Sequence, residues 1–314
     1  MAKLNRETGP VPEKVPYHRV LLSSKRRILR GLLAFLLLIG GMYFFVIVFS
    51  LIGSEIDKRI FGRVNPAGGG TDYTPIFMAS NFLAIAMLIP WSMLLQRWLY
   101  GIKGSILHSV RSIFRLEVFG RALLLILPVW TVCMVFFNWY APYTITEWSI
   151  ADLLVYFAVS LLIVPLQSAG EEYGFRGLVF RIASSWVRNA RASLVVGIVV
   201  SSVLFAAIHL STDLWFNLYY IVIGVSLALM TWRTGGLEYA IVLHAINNAL
   251  NFVLVTVLRT DPMADVAQAA EAGGSEIVFL PITVLVFLTI IVWLLTRRSG
   301  PELTPENSLL RKTE

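Results

Sequence analysis

The sequence predicts an all-α, polytopic membrane protein of about eight transmembrane helices, and three observations predict it. Hydrophobic residues make up 57% of the 314 positions and charged residues only 14%. With a mean hydropathy of +0.74, this lies well outside the mix of a soluble domain. The apolar residues fall into long runs, each near the roughly 20 residues that one bilayer crossing takes. Lys and Arg gather mainly in alternate connections between those runs, as they do when they resist translocation.

The first run, Gly31 to Ile52, follows Lys25, Arg26, Arg27 and Arg30. It exceeds the roughly 7 to 15 residues of a signal-peptide core, so it reads as a retained anchor. The others are Pro75 to Leu95, Ala122 to Asn138, Leu153 to Ala169, Ser193 to Leu210, Asn217 to Trp232, Glu238 to Leu258 and Ile277 to Thr296. Basic residues crowd the amino terminus, the second connection (Arg97, Lys103, Arg111, Arg115, Arg121) and the fourth (Arg181, Arg188, Arg191). Arg233 lies in the sixth connection, and Arg297 and Arg298 follow the last run, whereas Trp139 to Thr146 and Ser211 to Phe216 contain neither Lys nor Arg. Both termini are therefore expected in the cytoplasm. Lys58, Arg59 and Arg63 in the first connection, and Arg259 among Asp261, Asp265, Glu271 and Glu276 in the seventh, blur the alternation without removing it.

Between the second and third runs, Ile106, Leu107, Val110, Ile113 and Phe114 fall at helical spacing. This predicts a helix lying on the anionic leaflet, with a plain solvated connector as the alternative. Asn65 to Pro75 reads as an exposed turn and Ser299 to Glu314 as a polar tail. The chain divides into a cytoplasmic segment (1–27), amino-terminal transmembrane helices (28–149), a core (150–258), a last loop and helix (259–298) and the tail (299–314). The formal charge of +7 is explained by topology and forms no aromatic-interleaved patch, so no nucleic acid is expected. The one cysteine, Cys133, sits in an apolar run and reads as a small core residue.

An ionisable side chain near the bilayer centre costs about 2.5 to 3.5 kcal/mol on insertion scales, so such groups need partners and usually have a task. Three clusters qualify. In Glu171-Glu172-Tyr173-Gly174-Phe175-Arg176, Glu172 and Arg176 are i and i+4 apart in the favourable order for an ion pair. Glu171 lies about 140° around the axis from Arg176, which leaves one carboxylate without a cation and suited to act as a general base; two interfacial glutamates at a helix end is the plainer reading. In Phe205-Ala206-Ala207-Ile208-His209 the histidine closes an apolar run, and the phenylalanine one turn earlier shares its face. His244, Asn247, Asn248 and Asn251 fall at i, i+3, i+4 and i+7 and form one polar stripe that must face protein or water. A hydrogen-bonded helix seam would use the same residues.

Taken in order, Glu-Glu-x-x-x-Arg, Phe-x-x-x-His and His-x-x-x-Asn resemble the motif set of the CAAX protease and bacteriocin-processing (CPBP, Abi) family of intramembrane endopeptidases. The resemblance covers about Ile150 to Leu258 and implies an eight-helix membrane core that hydrolyses a peptide bond. Its substrate would be a peptide or protein in or at the lipid bilayer. By that resemblance Glu171 and His209 activate the attacking water, His244 and Asn248 donate hydrogen bonds to the oxyanion, and Glu172, Arg176 and Phe205 support the site. The family also implies a metalloendopeptidase alternative with Glu171, His209 and His244 as zinc ligands; the absence of His-Glu-x-x-His leaves zinc or no cofactor open. One tension arises: Glu171 falls near the cytoplasmic end of the fourth run but His209 at the far end of the fifth. Either the glutamate helix runs on towards Arg188, or the fifth crossing is tilted, short or re-entrant. A transporter and a catalytically silent scaffold are the rival readings. The expected location is a bacterial plasma membrane, with the endoplasmic reticulum as the alternative.

Overall fold

The computed structural model describes residues 11–23, 27–140, 149–259 and 278–306. The seventh connection's acidic residues, most of the third connection, Lys25 and Arg26, and the tail beyond Glu306 lie outside the described residues. No strand occurs among the described residues; two isolated bridges, Pro16 with Leu303 and Ser109 with Gly236, are the only extended pairings. Hydrocarbon offers no partner for backbone N–H and C=O groups, so helices that bond internally are the form these runs must take.

Among the described residues, eight helical spans are long and apolar enough to cross a membrane. They are built from α1 (Ile28–Ile56), α2 (Pro75–Ala86) with α3 (Leu88–Tyr100), α4 (Leu116–Tyr140), α5 (Ile150–Leu162) with α6 (Val164–Glu172) and α7 (Phe180–Ser185), α8 (Ala190–Ala207), α9 (Leu214–Thr234), α10 (Glu238–Leu258) and α11 (Phe279–Thr296). Helix starts carry their own signals. The side chains of Thr74, Ser149, Asn189 and Asp213 each accept from backbone N–H groups of the first turn that would otherwise be unpaired. Gly101 and Gly235 stop α3 and α9 in the left-handed conformation.

The fourth span differs most from expectation. Pro165 lacks an N–H and breaks the ladder, so the helix kinks at Ile163 between α5 and α6. It then widens into a π-helical stretch over Tyr173–Val179 before α7. The crossing therefore runs from Ile150 to Ser185, beyond the Ala169 limit that apolarity suggests, and Glu171 lies within it rather than at its end. Of the two ways to relieve the tension between Glu171 and His209, the longer glutamate helix is the one the fold adopts. Every residue from Gln167 to Ser185 is buried, which makes this the central helix. Gly170 permits the packing: a Cβ there would lie 2.2 Å from the Ile85 carbonyl oxygen of α2.

Two other expectations are corrected. Residues 104–115 form neither an amphipathic helix nor a solvated connector. One 3-10 turn, Gly104–Leu107, is followed by a segment that docks by backbone bonds from Val110 to Gly235 and from Leu237 to His108. Ile106, Leu107 and Val110 are buried against the core. The carboxy-terminal segment is also folded as far as described. Thr304 is buried, Lys14 donates its backbone N–H to Thr304 and Thr304 donates to Val15. Arg115, Glu238 and Glu302 form an ion-pair network beneath them. Both terminal segments thus share one end of the bundle with the second, fourth and sixth connections. At the opposite end both arginines of the first connection are matched by acids: Arg63 meets Asp72 and Asp152, each at 2.7 Å, and Arg59 meets Glu55 at 2.6 Å. Lipid-facing residues such as Leu29, Leu36 and Phe44 on α1 are exposed and apolar, as a protein solvated by hydrocarbon requires. Cys133 is buried in α4.

Candidate active site

Two consecutive glutamates on α6 face different partners, each one turn away. Glu171 accepts from Gln167 Nε2 at 2.5 Å, at i−4. Glu172 accepts from Arg176 Nη1 at 3.0 Å, at i+4, so the expected ion pair forms although Arg176 sits in the wider π turn. Both carboxylates and the guanidinium are buried. Breaking such a pair leaves a lone buried charge and costs about 3–5 kcal/mol, so Glu172 and Arg176 depend on each other. The Arg176 Cζ also lies 4.1 Å from the centre of the Phe205 ring, which offers the guanidinium a second favourable surface.

α10 brings His244 across to both carboxylates. Its Nδ1 donates to Glu172 Oε1 at 2.7 Å, and its Nε2 lies 3.7 Å from Glu171 Oε2. Glu172 therefore orients the imidazole through one nitrogen and turns the other towards Glu171. Glu171 Oε2 has no hydrogen-bond partner among the described residues. One turn further along α10, Asn248 Nδ2 donates to Gln167 Oε1 at 3.2 Å and reaches Ser168 Oγ at 3.4 Å.

The amide orientations follow from Glu171. An ionised carboxylate only accepts, so Gln167 must turn its NH2 to Glu171 and its carbonyl to Asn248. Asn248 then accepts from Asn247 Nδ2 at 2.9 Å, and Asn247 accepts from the Tyr219 hydroxyl at 2.8 Å. Four hydrogen bonds run in one sense from Tyr219 to Glu171, an arrangement in which each bond polarises the next.

Phe205 sits among the remaining groups. Its ring meets His209 at 4.7 Å and His244 at 5.8 Å between centroids, and its carbonyl accepts from His209 Nδ1 at 2.7 Å. The His209 ring stacks on Tyr220 at 3.9 Å. Burial lowers the His209 pKa below the ordinary imidazole value, and the nearby Glu171 charge opposes that shift. The fold thus gathers Glu171, Glu172, Arg176, Phe205, His244 and Asn248 into one cluster. His209 lies within electrostatic reach of Glu171, at the cluster's edge, with no hydrogen bond to it among the described residues. Sequence reasoning missed Gln167, Ser168, Tyr219 and Tyr220. The signal for Gln167 was present: an amide one turn before Glu171 in an otherwise apolar stretch.

Zinc would need Glu171, His209 and His244 to converge. Among the described residues no three His, Cys, Asp or Glu side chains come together as a metal site. The residues as placed do not fit the ion, and no step is derived through it.

A stretch of 116 residues, 36% of the chain, is 26% identical to an uncharacterised protein of Bacillus subtilis (strain 168), YyaK, and covers 39% of it. The chain thus matches about two-fifths of that relative's length. No solved structure matches. Residues 150–250, which carry all seven motif positions, match the family model described as type II CAAX prenyl endopeptidase Rce1-like, and are similar to that family over this segment.

Proposed function

We propose that the protein is an intramembrane endopeptidase that hydrolyses a peptide bond of a membrane-associated substrate with water activated by Glu171. The observation that carries this reading is the pair of glutamates with unlike partners. Each glutamate keeps its Oε2 unbonded among the described residues, but Glu172 is engaged at Oε1 by both Arg176 and His244, while Glu171 has no arginine partner and its free Oε2 lies 3.7 Å from His244 Nε2.

Glu171 takes a proton from water, the water oxygen bonds to the substrate carbonyl carbon, and the carbonyl oxygen becomes the oxyanion. Glu171 then returns the proton to the amide nitrogen, and the C–N bond breaks. A positioned base supplies about 10²- to 10⁴-fold. Asn248 Nδ2 and His244 Nε2 are the donors that the oxyanion would meet, each such donor being worth about 2.7 to 4 kcal/mol. To donate from Nε2 while Nδ1 donates to Glu172, His244 must carry a proton on both nitrogens. His209, with Nδ1 held by the Phe205 carbonyl, presents Nε2 as a second acceptor for the water.

A mixed fluorogenic peptide library that includes a farnesylated CAAX peptide tests this in detergent. Cleavage by the wild type, abolished in Glu171→Ala and retained with a zinc chelator, is the expected result. Loss with the chelator would replace the glutamate mechanism by a metal one.

A further inference from the structure

The peptidase chemistry uses His244 and Asn248 of the polar stripe on α10 and leaves Asn247 without a task. A primary amide turned by 180° about its last bond keeps its shape and exchanges a donor for an acceptor. Asn248 can serve an oxyanion only with its NH2 towards the site; turned over, it would set a carbonyl against the developing charge. Ser168 Oγ, 3.4 Å from Asn248 Nδ2, does not decide between the two, because a hydroxyl donates as readily as it accepts. Asn247 does decide. Its Nδ2 donates to Asn248 Oδ1 at 2.9 Å, which holds the Asn248 carbonyl on the side away from Gln167. The Tyr219 hydroxyl donates to Asn247 Oδ1 at 2.8 Å, which leaves Asn247 its NH2 to offer to Asn248. Tyr219, Asn247 and Asn248 are half-buried and line a cavity of about 210 Å³, so packing alone does not keep the two amides in one sense.

We propose that Asn247 and Tyr219 are positioning residues: they fix the sense of the amide chain, and with it the donor that Asn248 offers to the oxyanion and the donor that Gln167 offers to Glu171. The kinetic consequence rests on the peptidase reading; the sense of the chain does not. An ionised Glu171 only accepts, which sets the sense at one end. Tyr219 closes the other end with a donor, so that each amide oxygen of the chain has a partner. Tyr219 stands on α9, which carries none of the seven motif positions, and the chain ties that helix to the catalytic groups of α6 and α10. A hydrogen-bonded seam between α9 and α10 would need the same contact but would be indifferent to which way the amides point. Asn247→Asp separates the two. It keeps the size and the acceptor for Tyr219 and replaces the NH2 by a second oxygen. Asn248 must then turn over to give that oxygen a donor, its carbonyl swings to Gln167, and Gln167 answers with its NH2 and turns its own carbonyl on Glu171. Tyr219→Phe keeps the ring and removes only the closing donor.

Cleavage of the fluorogenic library, thermal unfolding and side-chain amide NMR on the same detergent-purified full chain test this. The sequence holds three glutamines, Gln96, Gln167 and Gln268, so isotopic nitrogen in glutamine alone gives a spectrum in which the pair of signals lost in Gln167→Leu belongs to Gln167. The expected result is that the Gln167 signals move in Asn247→Asp and, by less, in Tyr219→Phe, although neither position bonds to Gln167. With them kcat falls about 10²-fold or more in Asn247→Asp, as for loss of one oxyanion donor. In Tyr219→Phe it falls about 2- to 10-fold, as for one neutral hydrogen bond. KM and Tm stay near the wild-type values in both. Gln167 signals that stay in place in both variants overturn the proposal, and so does a fall in Tm with kcat unchanged, which would make Asn247 a seam residue. If the signals move and the wild type cleaves nothing, the peptidase reading fails while the sense of the chain stands.

Discussion

The first crossing, α1, and the central helix running from α6 through α7 are both long helices in one membrane protein, yet they are solvated by different media. Leu29, Leu36 and Phe44 on α1 are 83%, 71% and 61% exposed to what surrounds the bundle, and α1 carries its only acidic residue, Glu55, in its last turn. The central helix is buried at every position from Gln167 to Ser185 and carries two glutamates and two arginines there. Lipid selects apolarity on α1; protein selects pairing on the central helix. Hydropathy sees the first criterion and is blind to the second, which is why the apolar reading stops the fourth crossing at Ala169 although the helix runs on to Ser185.

The contrast can be broken by substitution. Arg176→Met should be the most damaging to folding, because it removes the guanidinium paired with the buried Glu172 and costs about 3–5 kcal/mol. A comparable truncation on α1, Leu36→Ala, should change thermal stability by less than about 0.5 kcal/mol. Equal losses in a detergent melt would remove the distinction. Leu178 is fully buried, so Leu178→Ala should fall near the lower end of the roughly 2–5 kcal/mol seen for core truncations. Lipid is as apolar as leucine, so only packing and cavity are lost there.

The glycines give a smaller and sharper contrast. A Cβ at Gly170 would overlap the Ile85 carbonyl, whereas one at Gly40 on α1 would meet nothing within 4 Å. Gly170→Ala should destabilise by about 1–3 kcal/mol, while Gly40→Ala should be neutral or stabilise by up to about 1 kcal/mol through helix propensity. Melting curves of the two variants decide it. A further expected effect is kinetic. Gln167→Leu removes the donor that holds Glu171 Oε1, and a hydrogen bond to a charged group is worth about 1.5–3 kcal/mol. It should lower kcat by about 10- to 100-fold at nearly constant KM, with Gln167→Asn recovering part of the loss; an equal fall in Tm for both variants would mark Gln167 as structural only.

The crossings, their alternation and the seven motif positions could be read from the chain because each depends on local pattern: run length, charge asymmetry and one-turn spacing. What escaped the reading depends on contacts between distant segments. Ile106, Leu107 and Val110 have the spacing of a surface helix, but their burial comes from Gly235 and Leu237, which bond the segment to the core. The Glu302 to Arg115 contact folds a tail whose composition reads as solvated. His18 is polar by type, yet it stacks on Phe180 and is buried. Burial lowers its pKa to about 4. Between roughly pH 4 and 6.5 the unfolded chain binds the extra proton, so this contribution to stability is present at neutral pH and is lost as the pH falls towards 4.

The most direct test of the central claim is the isosteric Glu171→Gln variant, with peptide cleavage and thermal unfolding followed on the same detergent-purified preparation. Cleavage reduced by about 10²- to 10⁴-fold at an unchanged melting temperature is the result that a glutamate base predicts. Cleavage at the wild-type rate would contradict it, since the amide can hold Gln167 and face His244 but cannot take a proton from water.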